Sequence, residues 1–271
     1  MTRELRVLLF EEPENPYMNL AFEEALARAR GAGLVPDTLR IWRNARAVVI
    51  GYFQIASEEV DLERAMREKV VVARRFTGGG AVYHDLGNVN YAITASAEEL
   101  RDPVEYAYSH LVKGLVNALK LLGLDALIEN VNDVVVGGRK VSGTAASFRW
   151  GSCFVHGTLL LDADLETMSR VLKPPVEKLR SKGVSDVKHR VANVSQLLGR
   201  APSYREVVDA LVRGFEELLN AEAYFDLPSR EELDAATLLY ERKYSKEEWN
   251  LRRAPHSAFD VDKELKELLR I

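Results

Sequence analysis

A run of twelve residues, from Arg74 to Asp85, combines two arginines, three successive glycines and a histidine. Glycine lets the backbone turn where other side chains would clash, and the N–H groups of such a loop can converge on phosphate or carboxylate oxygens. The apolar stretches on either side, Val70–Ala73 and Ala81–Tyr83, are typical of buried strands. The run therefore predicts an anion-binding loop that is held by a sheet.

A simple β-hairpin with a glycine-rich turn is the alternative interpretation of the same run. Neither of two common nucleotide-binding motifs is present. Ala81 and Val82 follow the glycines where a Walker motif has lysine and then serine or threonine, and the G-x-G-x-x-G spacing of a dinucleotide fingerprint is missing. A nucleotide bound by this loop must be held in another way.

A second group of polar residues lies in the stretch 132–145. The Gly137-Gly138 pair is favoured in tight hairpins and predicts two short strands, with Lys140 at a fixed place on the second one. Small residues around this lysine leave space for a ligand to approach the backbone, although an ordinary exposed hairpin lysine fits the same pattern. Asn132 and Asp133 offer the hard oxygen ligands that Mg²⁺ prefers, and two residues make a weak metal signal.

The third candidate segment is the apolar stretch Cys153–Leu161, which His156, Gly157 and Thr158 interrupt. In isolation, a core histidine and a β-bulge at the glycine explain these interruptions equally well. Cys153 is the only cysteine of the chain, which rules out an intrachain disulfide and raises the alternative of a cysteine nucleophile. Residues three apart on a strand lie on opposite faces, so we expect Cys153 to be a buried small hydrophobe away from His156.

The elements that must position these segments follow an α/β pattern. Helical periodicity predicts helices at Met18–Arg30, Glu58–Glu68, Pro103–Leu122, Leu165–Leu172, Val176–Leu179, Tyr204–Leu219 and Arg230–Tyr240, with strands in the spaces before residue 164. On the first helix we expect Glu23 to face a pocket and Glu24 to face solvent. The portion after about residue 164 is predicted to be helical.

Taken in order, these segments resemble the lipoate–protein ligase family. The similarity runs from about residue 5 to about residue 196, with a fainter match at Glu248-Trp249-Asn250. It rests on Asn19–Glu24, Leu39–Asn44, Val48–Gly51, the Arg-Arg-x-x-Gly-Gly-Gly-Ala-Val-x-His-Asp-x-Gly-Asn block from Arg74 to Asn88, Asn132-Asp133, Arg139–Gly143, His156–Leu160, Lys182–Val184 and Arg190–Asn193. Several ordered motifs together are far more specific than any one alone.

The resemblance implies an α/β (α+β) fold of the biotin/lipoate protein ligase type, with mixed β-sheets flanked by helices. It also implies a reaction in two steps that uses ATP and Mg²⁺: lipoate and ATP give lipoyl-AMP and pyrophosphate, and the lipoyl group then passes to a lysine of an acceptor protein. The implied acceptor is a lipoyl domain of a dehydrogenase-complex subunit or a glycine-cleavage protein. Such chemistry suits cations and oriented N–H donors, in a pocket that excludes water.

The family's motifs also imply roles for individual residues. Lys140 would be the central catalytic cation, in contact with the carboxylate and the α-phosphate. Asn132 and Asp133 would bind the nucleotide together with Lys140, and Asp133 would hold the metal. Arg75 would close over the acyl-adenylate from the side of the glycine loop. The residues expected to bind lipoate or lipoyl-AMP are Glu23, Arg75, Thr77, Gly78, Gly79, Gly80, Val82, His84, Ser142, Gly143, His156, Gly157 and Thr158.

Three other functions remain open at this point. The first is an ATP-independent octanoyl or lipoyl transferase that acts through an acyl-enzyme on a cysteine. The second is a biotin–protein ligase, although the glycine–arginine loop of that class is not matched by residues 74–77. The third is a binding module that senses lipoate or lipoyl-AMP without turnover, in which Lys140 would be idle.

Composition and domain organisation narrow the partners. The chain has 271 residues, 47% of them hydrophobic, and a net charge of −4, which argues against a nucleic-acid partner. Without a membrane-length apolar stretch or a signal-peptide core, we expect a cytoplasmic protein with no membrane partner.

We expect one catalytic domain over residues 1–271. Many family members continue into an accessory domain, whereas this chain ends about twenty residues after Trp249-Asn250; the resemblance therefore implies a separate small subunit for the activation step.

Overall fold

The computed structural model describes residues 3–98, 100–173, 190–259 and 261–269. Eleven strands lie within these ranges: β1 Arg3–Leu8, β2 Thr38–Trp42, β3 Arg46–Ile50, β4 Val71–Arg74, β5 Val82–Asp85, β6 Asn88–Ser96, β7 Ala126–Glu129, β8 Asp133–Val136, β9 Arg139–Ser147, β10 Ser152–Leu160 and β11 Ala221–Asp226. They form an eight-stranded sheet of order β11-β1-β2-β6-β10-β9-β8-β7 and a three-stranded sheet of order β4-β3-β5. Both sheets mix parallel and antiparallel pairs, which confirms the expected fold class.

The large sheet has an apolar face and a polar face. Alternate residues of β6 and β10, such as Tyr91, Ile93 and Val155, belong to the main hydrophobic core. This core is closed by helix α5 (Lys113–Leu121) and the helix Tyr204–Leu219. The intervening residues point the other way, because successive side chains of a strand alternate. They include many polar groups and face helix α1 (Pro16–Gly31) and the small sheet.

The small sheet decides between the two interpretations of the glycine run. Strand β3 lies between β4 and β5, parallel to β4 and antiparallel to β5. The two strands that flank the glycines are therefore not paired with each other, and the simple hairpin is wrong. The glycine segment is a crossover loop that passes over the end of β3, where a Cβ at Gly51 would lie 2.2 Å from the carbonyl oxygen of Gly79.

The stretch 132–145 forms the predicted hairpin, with an irregularity that matters for the site. Strands β8 and β9 are antiparallel and are joined at Gly137-Gly138, both with positive φ. The register shifts so that Asp133 pairs with Gly143 while Val135 pairs with Lys140. This β-bulge adds one residue to β9 and brings Lys140 onto the same face as Asp133 and Gly143, although plain alternation would separate residues 140 and 143.

The helical expectations hold with three corrections. In place of one helix over Glu58–Glu68, two short helices occur, α2 Ala56–Glu59 and α3 Leu62–Arg67, because Val60 is extended and bridges to Leu172. The stretch 103–122 is helical but consists of α4 Pro103–Glu105, a π-helical turn at Tyr106–Leu111 and α5. The C-terminal portion also contains a strand, β11, which pairs in parallel with β1.

Of the remaining helices in the described ranges, Leu165–Val171, Tyr204–Leu219 and Arg230–Leu239 agree with the prediction, and the other three were not predicted. Helix α6 spans Leu165–Val171, and the later helices are Val194–Leu198, Tyr204–Leu219, Arg230–Leu239, Glu247–Asn250 and Asp262–Leu269, with a π-helical turn at Tyr240–Tyr244 and a 3-10 turn at His256–Phe259. The predicted helix Val176–Leu179 and the motif Lys182–Val184 lie outside the described residues. No helix within the described ranges is both long enough and apolar enough to cross a membrane.

The expectation that Glu24 faces solvent is wrong. Its side chain is 1% exposed, because the C-terminal helices cover this face of α1. Glu24 Oε2 accepts hydrogen bonds from Lys243 Nζ and Tyr244 Oη, both at 2.6 Å, and Oε1 pairs with Arg28. Burial alone would raise the pKa of Glu24, but the charges of Lys243 and Arg28 lower it to about 2. This carboxylate is a structural tie between α1 and the C-terminal portion.

The Trp249-Asn250 element ties the C-terminal portion to the glycine loop. Trp249 Nε1 donates to the carbonyl of Arg74 at 2.8 Å, and the backbone N–H of Arg74 donates to Asn250 Oδ1 at 2.9 Å. The buried Arg74 guanidinium in turn donates to the carbonyls of Gly51, Tyr52, Gln54, Trp249 and Asn250. The faint C-terminal motif therefore fixes the end of β4, from which the glycine loop departs.

Candidate active site

Two adjoining cavities lie between the polar face of the large sheet and the small sheet. The first has a volume of about 100 Å³ and extends towards α1; the second has a volume of about 460 Å³ and extends towards α6. Seven residues line both cavities: Gly80, Ala81, Val82, Asn132, Lys140, Gly143 and Thr158. The glycine loop and the hairpin lysine therefore meet at the junction of the two cavities, although 60 residues of sequence separate Gly80 from Lys140.

The glycine loop is organised from within by Arg75, which is 5% exposed. Its guanidinium donates to the carbonyls of Gly78 at 2.6 Å, Gly80 at 2.9 Å and Val49 at 3.1 Å. Because C=O and N–H of one peptide point in opposite directions, the N–H groups that follow these two glycine carbonyls are directed away from the guanidinium. A Cβ at Gly79, whose φ is +90°, would lie 2.9 Å from Arg75 Nη2.

Arg75 also begins a chain of hydrogen bonds that crosses the site. Its Nε donates to Thr77 Oγ1 at 3.0 Å, and Thr77 Oγ1 lies 2.8 Å from His156 Nε2. His156 Nδ1 lies 2.7 Å from Glu23 Oε1. Since the carboxylate can only accept, the imidazole carries its hydrogen on Nδ1, and the threonine hydroxyl donates to Nε2. The chain joins the loop, strand β10 and helix α1.

A second chain of polar groups fixes the tautomer of His84. Arg40 donates to Asn19 Oδ1, so Asn19 Nδ2 donates to Asn44 Oδ1, each at 2.8 Å. Asn44 Nδ2 must then donate to His84 Nδ1, at 2.9 Å, which leaves the ring hydrogen on Nε2. Burial, with the charge of Arg75, lowers the pKa of His84 to about 3. This residue therefore presents a neutral N–H donor at the first cavity.

Lys140 lies across the cavities from the glycine loop. Its Nζ pairs with Asp133 Oδ1 at 2.6 Å, and a Cβ at Gly143 would lie 2.7 Å from the same Nζ. The bulge in β9 and the missing side chain at position 143 together provide the space for this ammonium. The backbone of Lys140 pairs with Val135 of β8 on one side and forms a bridge to Val191 on the other. The lysine backbone is therefore held from both sides.

Asn132 is braced against β9. Its carbonyl accepts from the backbone N–H of Thr144 at 2.8 Å and from the threonine hydroxyl at 3.1 Å, and its Nδ2 donates to the carbonyl of Thr144 at 3.1 Å. Val131, just before it, has a φ of +73°, which is rare for a β-branched residue. These hydrogen bonds hold Asn132 where it lines both cavities and Asp133 where it lines the second.

The structure brings most of the candidate residues together. Those that line the first cavity are Glu23, Arg75, Gly79, Gly80, Val82, His84, Asn132, Lys140, Gly143, His156, Gly157 and Thr158, while Ser142 and Asp133 line the second. Thr77 and Gly78 line neither cavity and act through the bonds described above. Strand β10 pairs without interruption on both sides, so Gly157 is no bulge; a Cβ there would lie 2.6 Å from Tyr91 Oη.

Several lining residues were missed from the sequence. Trp42, Asn44 and Asn90 line the first cavity, and Gln54, Glu59, Lys173 and Arg190 line the second. Asn90 carried no distinctive signal, because β6 alternates polar and apolar residues, as a half-buried strand does. The residues of the second cavity come from loops and helix ends, where side-chain direction does not follow from periodicity.

Cys153 is separated from both cavities by the sheet itself. As predicted, it lies on the face of β10 opposite to His156, fully buried in the main core. Burial, with the charge of Asp37, raises the pKa of its thiol to about 12. A nucleophilic cysteine must be a thiolate with access to substrate, so this side chain cannot serve the site.

Among the described residues, no group of three or more His, Cys, Asp or Glu side chains is arranged to hold a metal. The second cavity does have two lining carboxylates, Asp133 and Glu59. Magnesium usually needs only one or two carboxylates when substrate phosphates and water supply the other ligands. The donor set therefore fits Mg²⁺ that arrives with a nucleotide.

Comparisons with known proteins agree with this geometry. Residues 15–216 match the family model "Lipoyl protein ligase A/B catalytic domain". The chain is 40% identical over 256 residues to lipoate-protein ligase A subunit 1 of Thermoplasma acidophilum, an alignment that covers 91% of this chain and 96% of the relative. The chain belongs to this family.

Two solved structures extend the comparison to the fold. One describes a bi-partite lipoate protein ligase and its E2 lipoyl domain from Thermoplasma acidophilum, with a TM-score of 0.83, 39% identity and coverage of 93% of this chain and 98% of that chain. The other is lipoate-protein ligase A bound with ATP, with a TM-score of 0.83, 37% identity and coverage of 93% and 100%. The expected family and fold are confirmed.

The chain of hydrogen bonds through Thr77 generates a first prediction. Thr77→Val removes the hydroxyl and leaves Arg75 Nε and His156 Nε2 without their shared partner. We expect the free energy of unfolding to fall by about 1–3 kcal/mol, with a loss of ligase activity, as measured by chemical denaturation and kcat/KM. Thr77→Ser keeps the hydroxyl and should restore both. Equal stability and activity in the valine and serine variants would contradict a role for the hydroxyl.

His84 generates a second prediction, on pH. Its pKa is lowered from an ordinary value of 6.5 to about 3. Between these values the unfolded chain binds a proton that the folded chain does not, so this stability contribution is present above pH 6.5 and is lost as pH falls. The slope due to this residue is at most about 1.4 kcal/mol per pH unit. Denaturation between pH 6.5 and 5 should show a shallower slope for His84→Asn; identical slopes would show that His84 is not buried neutral.

Proposed function

We propose that this lipoate–protein ligase joins lipoate to ATP at the junction of its two cavities and then transfers the lipoyl group to an acceptor lysine. The observation that carries the proposal is the position of the Lys140 ammonium. It lies at that junction, which residues of the glycine loop also line. The acyl chain occupies the first cavity and the nucleotide the second, so the carboxylate and the α-phosphate meet beside Lys140.

In the first step a carboxylate oxygen of lipoate attacks the α-phosphorus, and pyrophosphate leaves. Two anions must approach each other, so groups that stabilise the growing negative charge lower the barrier. Lys140 supplies a cation and the glycine loop supplies N–H donors. Arg75 acts by holding those donors outward, because its guanidinium is already bonded to loop carbonyls. This changes the role expected from the family, in which Arg75 closes over the adenylate.

Magnesium would be held by Asp133, with Glu59 as the other carboxylate that lines the second cavity. The ion would neutralise charge on the departing pyrophosphate. Asp133 is paired with Lys140 in the structure, so Asp133 would exchange the ammonium for the metal, and Lys140 would then be available to the substrate. The same exchange would coordinate the arrival of the nucleotide with the release of Lys140.

In the second step the amine of the acceptor lysine attacks the acyl carbonyl, AMP leaves, and the proton that the nitrogen loses passes to the leaving phosphate or to water. The amine must arrive without its extra proton. Lys140 and the neutral N–H of His84 both line the first cavity and would donate to the carbonyl oxygen and to the leaving phosphate. The mixed anhydride between the two steps hydrolyses readily, so the bound acyl chain and nucleotide must fill the two cavities and exclude water from it.

Transfer through an acyl-enzyme is the alternative, and the structure does not favour it. The single cysteine lies in the opposite face of the sheet with a raised pKa. A non-catalytic lipoate sensor would not require the bulge in β9, which directs the lysine into the junction.

We further propose that a second, small protein assists the activation step and that a lipoyl domain is the acceptor. A relative that this chain matches over 98% of its length is described as one part of a bi-partite ligase, together with its E2 lipoyl domain. Another relative carries the designation subunit 1. Both descriptions concern those proteins and motivate the assay of this one.

Lys140→Ala tests the central claim. Intact-mass analysis of a lipoyl domain incubated with the chain, any required second protein, ATP and lipoate should show a lipoyl mass gain with the unaltered protein. The rate should fall at least about 100-fold with the variant, as when an oxyanion-stabilising donor is removed. Lipoate binding, measured calorimetrically, should weaken by less than transfer does, because the acyl chain keeps its contacts in the first cavity.

Two variants serve as controls. Lys120→Ala removes an exposed lysine of α5 outside both cavities and should be fully active, as should Cys153→Ser. Undiminished transfer by Lys140→Ala would refute the catalytic role of this lysine. Loss of transfer in Cys153→Ser, with an acyl-thioester trapped in the unaltered protein, would establish the acyl-enzyme mechanism instead.

The two steps can be separated to test the second protein. We expect the purified chain alone to transfer the lipoyl group from preformed lipoyl-AMP to a lipoyl domain, but to release pyrophosphate from lipoate and ATP slowly. Pyrophosphate release should rise when the small protein is added. Rapid pyrophosphate release by the chain alone would overturn the requirement for a partner.

A further inference from the structure

A row of residues on adjacent strands of the large sheet runs from below Lys140 to the polar side chains of Asn90 and Trp42. Five residues are cross-strand neighbours on one face of adjacent strands, in the order Asp133, Gly143, Thr158, Asn90 and Trp42. Neighbouring strands are about 4.8 Å apart, so Asn90 and Trp42 lie about 10 and 14 Å from Gly143. The Lys140 ammonium lies over Gly143, and the row therefore runs away from the reacting atoms.

The far end of this row holds buried nitrogen atoms that lack partners. Within the described ranges, Asn90 Nδ2 and Trp42 Nε1 have no hydrogen-bond partner, and both side chains line the cavity. Asn90 is 1% exposed and Trp42 is 3% exposed. Asn90 Oδ1 accepts from Asn88 Nδ2 at 2.9 Å, so the other end of its amide is left for the cavity.

Unpaired groups of this kind make a poor lining for a purely hydrocarbon chain. A tail that displaces water from them leaves each donor unsatisfied, which is costly in a buried site. Sulfur has lone pairs and accepts weak hydrogen bonds, whereas a methyl end accepts none. A site built with buried polar groups rejects analogues that cannot pair with them more strongly than an apolar pocket does.

We propose that Asn90, with Trp42 Nε1 beside it, selects a sulfur-bearing acyl end over a hydrocarbon end, and so favours lipoate over octanoate. This inference rests on the proposed function, because it requires the acyl carboxylate at Lys140 and the tail along the row. Asn90 is a specificity determinant that contacts the tail and takes no part in the chemical steps. Glu23 and His156, which bond to each other, form the neighbouring wall.

The test compares kcat/KM for lipoate and for octanoate in Asn90→Val and Trp42→Phe, each of which removes one donor. The control is Thr94→Val, which removes a buried unpartnered hydroxyl from the same face of β6 outside both cavities. We expect the lipoate-to-octanoate ratio to fall about tenfold in each cavity variant and to stay unchanged in the control. Binding of each acid without ATP should show the same shift.

The proposal is judged by how the lipoate-to-octanoate ratio of kcat/KM changes in the variants. A ratio that falls because octanoate improves supports selection by the donors. A ratio that stays constant in both cavity variants, or that shifts equally in Thr94→Val, overturns the proposal. If the unaltered protein, assayed with any required second protein, modifies no lipoyl domain with either acid, the proposed function has failed; lipoylation with an unchanged ratio refutes only the role of Asn90.

Discussion

The buried Arg75 guanidinium is the group on which the site depends. It is bonded to carbonyls of the glycine loop and to the hydroxyl of Thr77, and through Thr77 it is joined to His156 and Glu23. A loop of three glycines would otherwise be the most adaptable part of the chain. The hydrogen bonds from this cation to the carbonyls of Gly78 and Gly80 restrict the conformation of the loop. Under the proposed function, the shape of the anion site is thus set by a charge that need not touch the anion.

Arginine and lysine are used differently here. Arg74 and Arg75 are both buried and both donate mainly to backbone carbonyls, which a planar guanidinium with five donors can do at several positions at once. Lys140 makes one ion pair, with Asp133, and is partly exposed at the cavities. Its compact charge on a flexible stem can leave Asp133 for a substrate. The arginines therefore fix the backbone around the site, while the ammonium of the lysine remains available to pair with a bound anion.

The sequence alone was enough to predict the family and the fold class, because several short motifs occur in the family's order, and all but two of the candidate residues line the cavities. It was less informative wherever a distant element decides the environment. Glu24 follows a helical pattern that would suit a solvated face, and only the packing of the C-terminal portion buries it against Lys243. Likewise β4 and β5 look like the arms of a hairpin until β3 is placed between them. Asn90 and Asn44 line the first cavity only because residues distant in sequence form the rest of its wall.

The bulge in β9 shows why strand periodicity alone misplaces a reactive side chain. By plain alternation Lys140 would share a face with Ser142 and Thr144, whereas the register shift puts it beside Gly143 and opposite Asp133. The extra residue interrupts the regular hydrogen bonds between β8 and β9. The bridge from Lys140 to Val191 supplies other backbone hydrogen bonds for the lysine. The same shift leaves the rest of β9 in register with β10, so the floor of the first cavity stays continuous. A one-residue irregularity thereby directs the ammonium to the junction of the cavities without disturbing the floor of the first cavity.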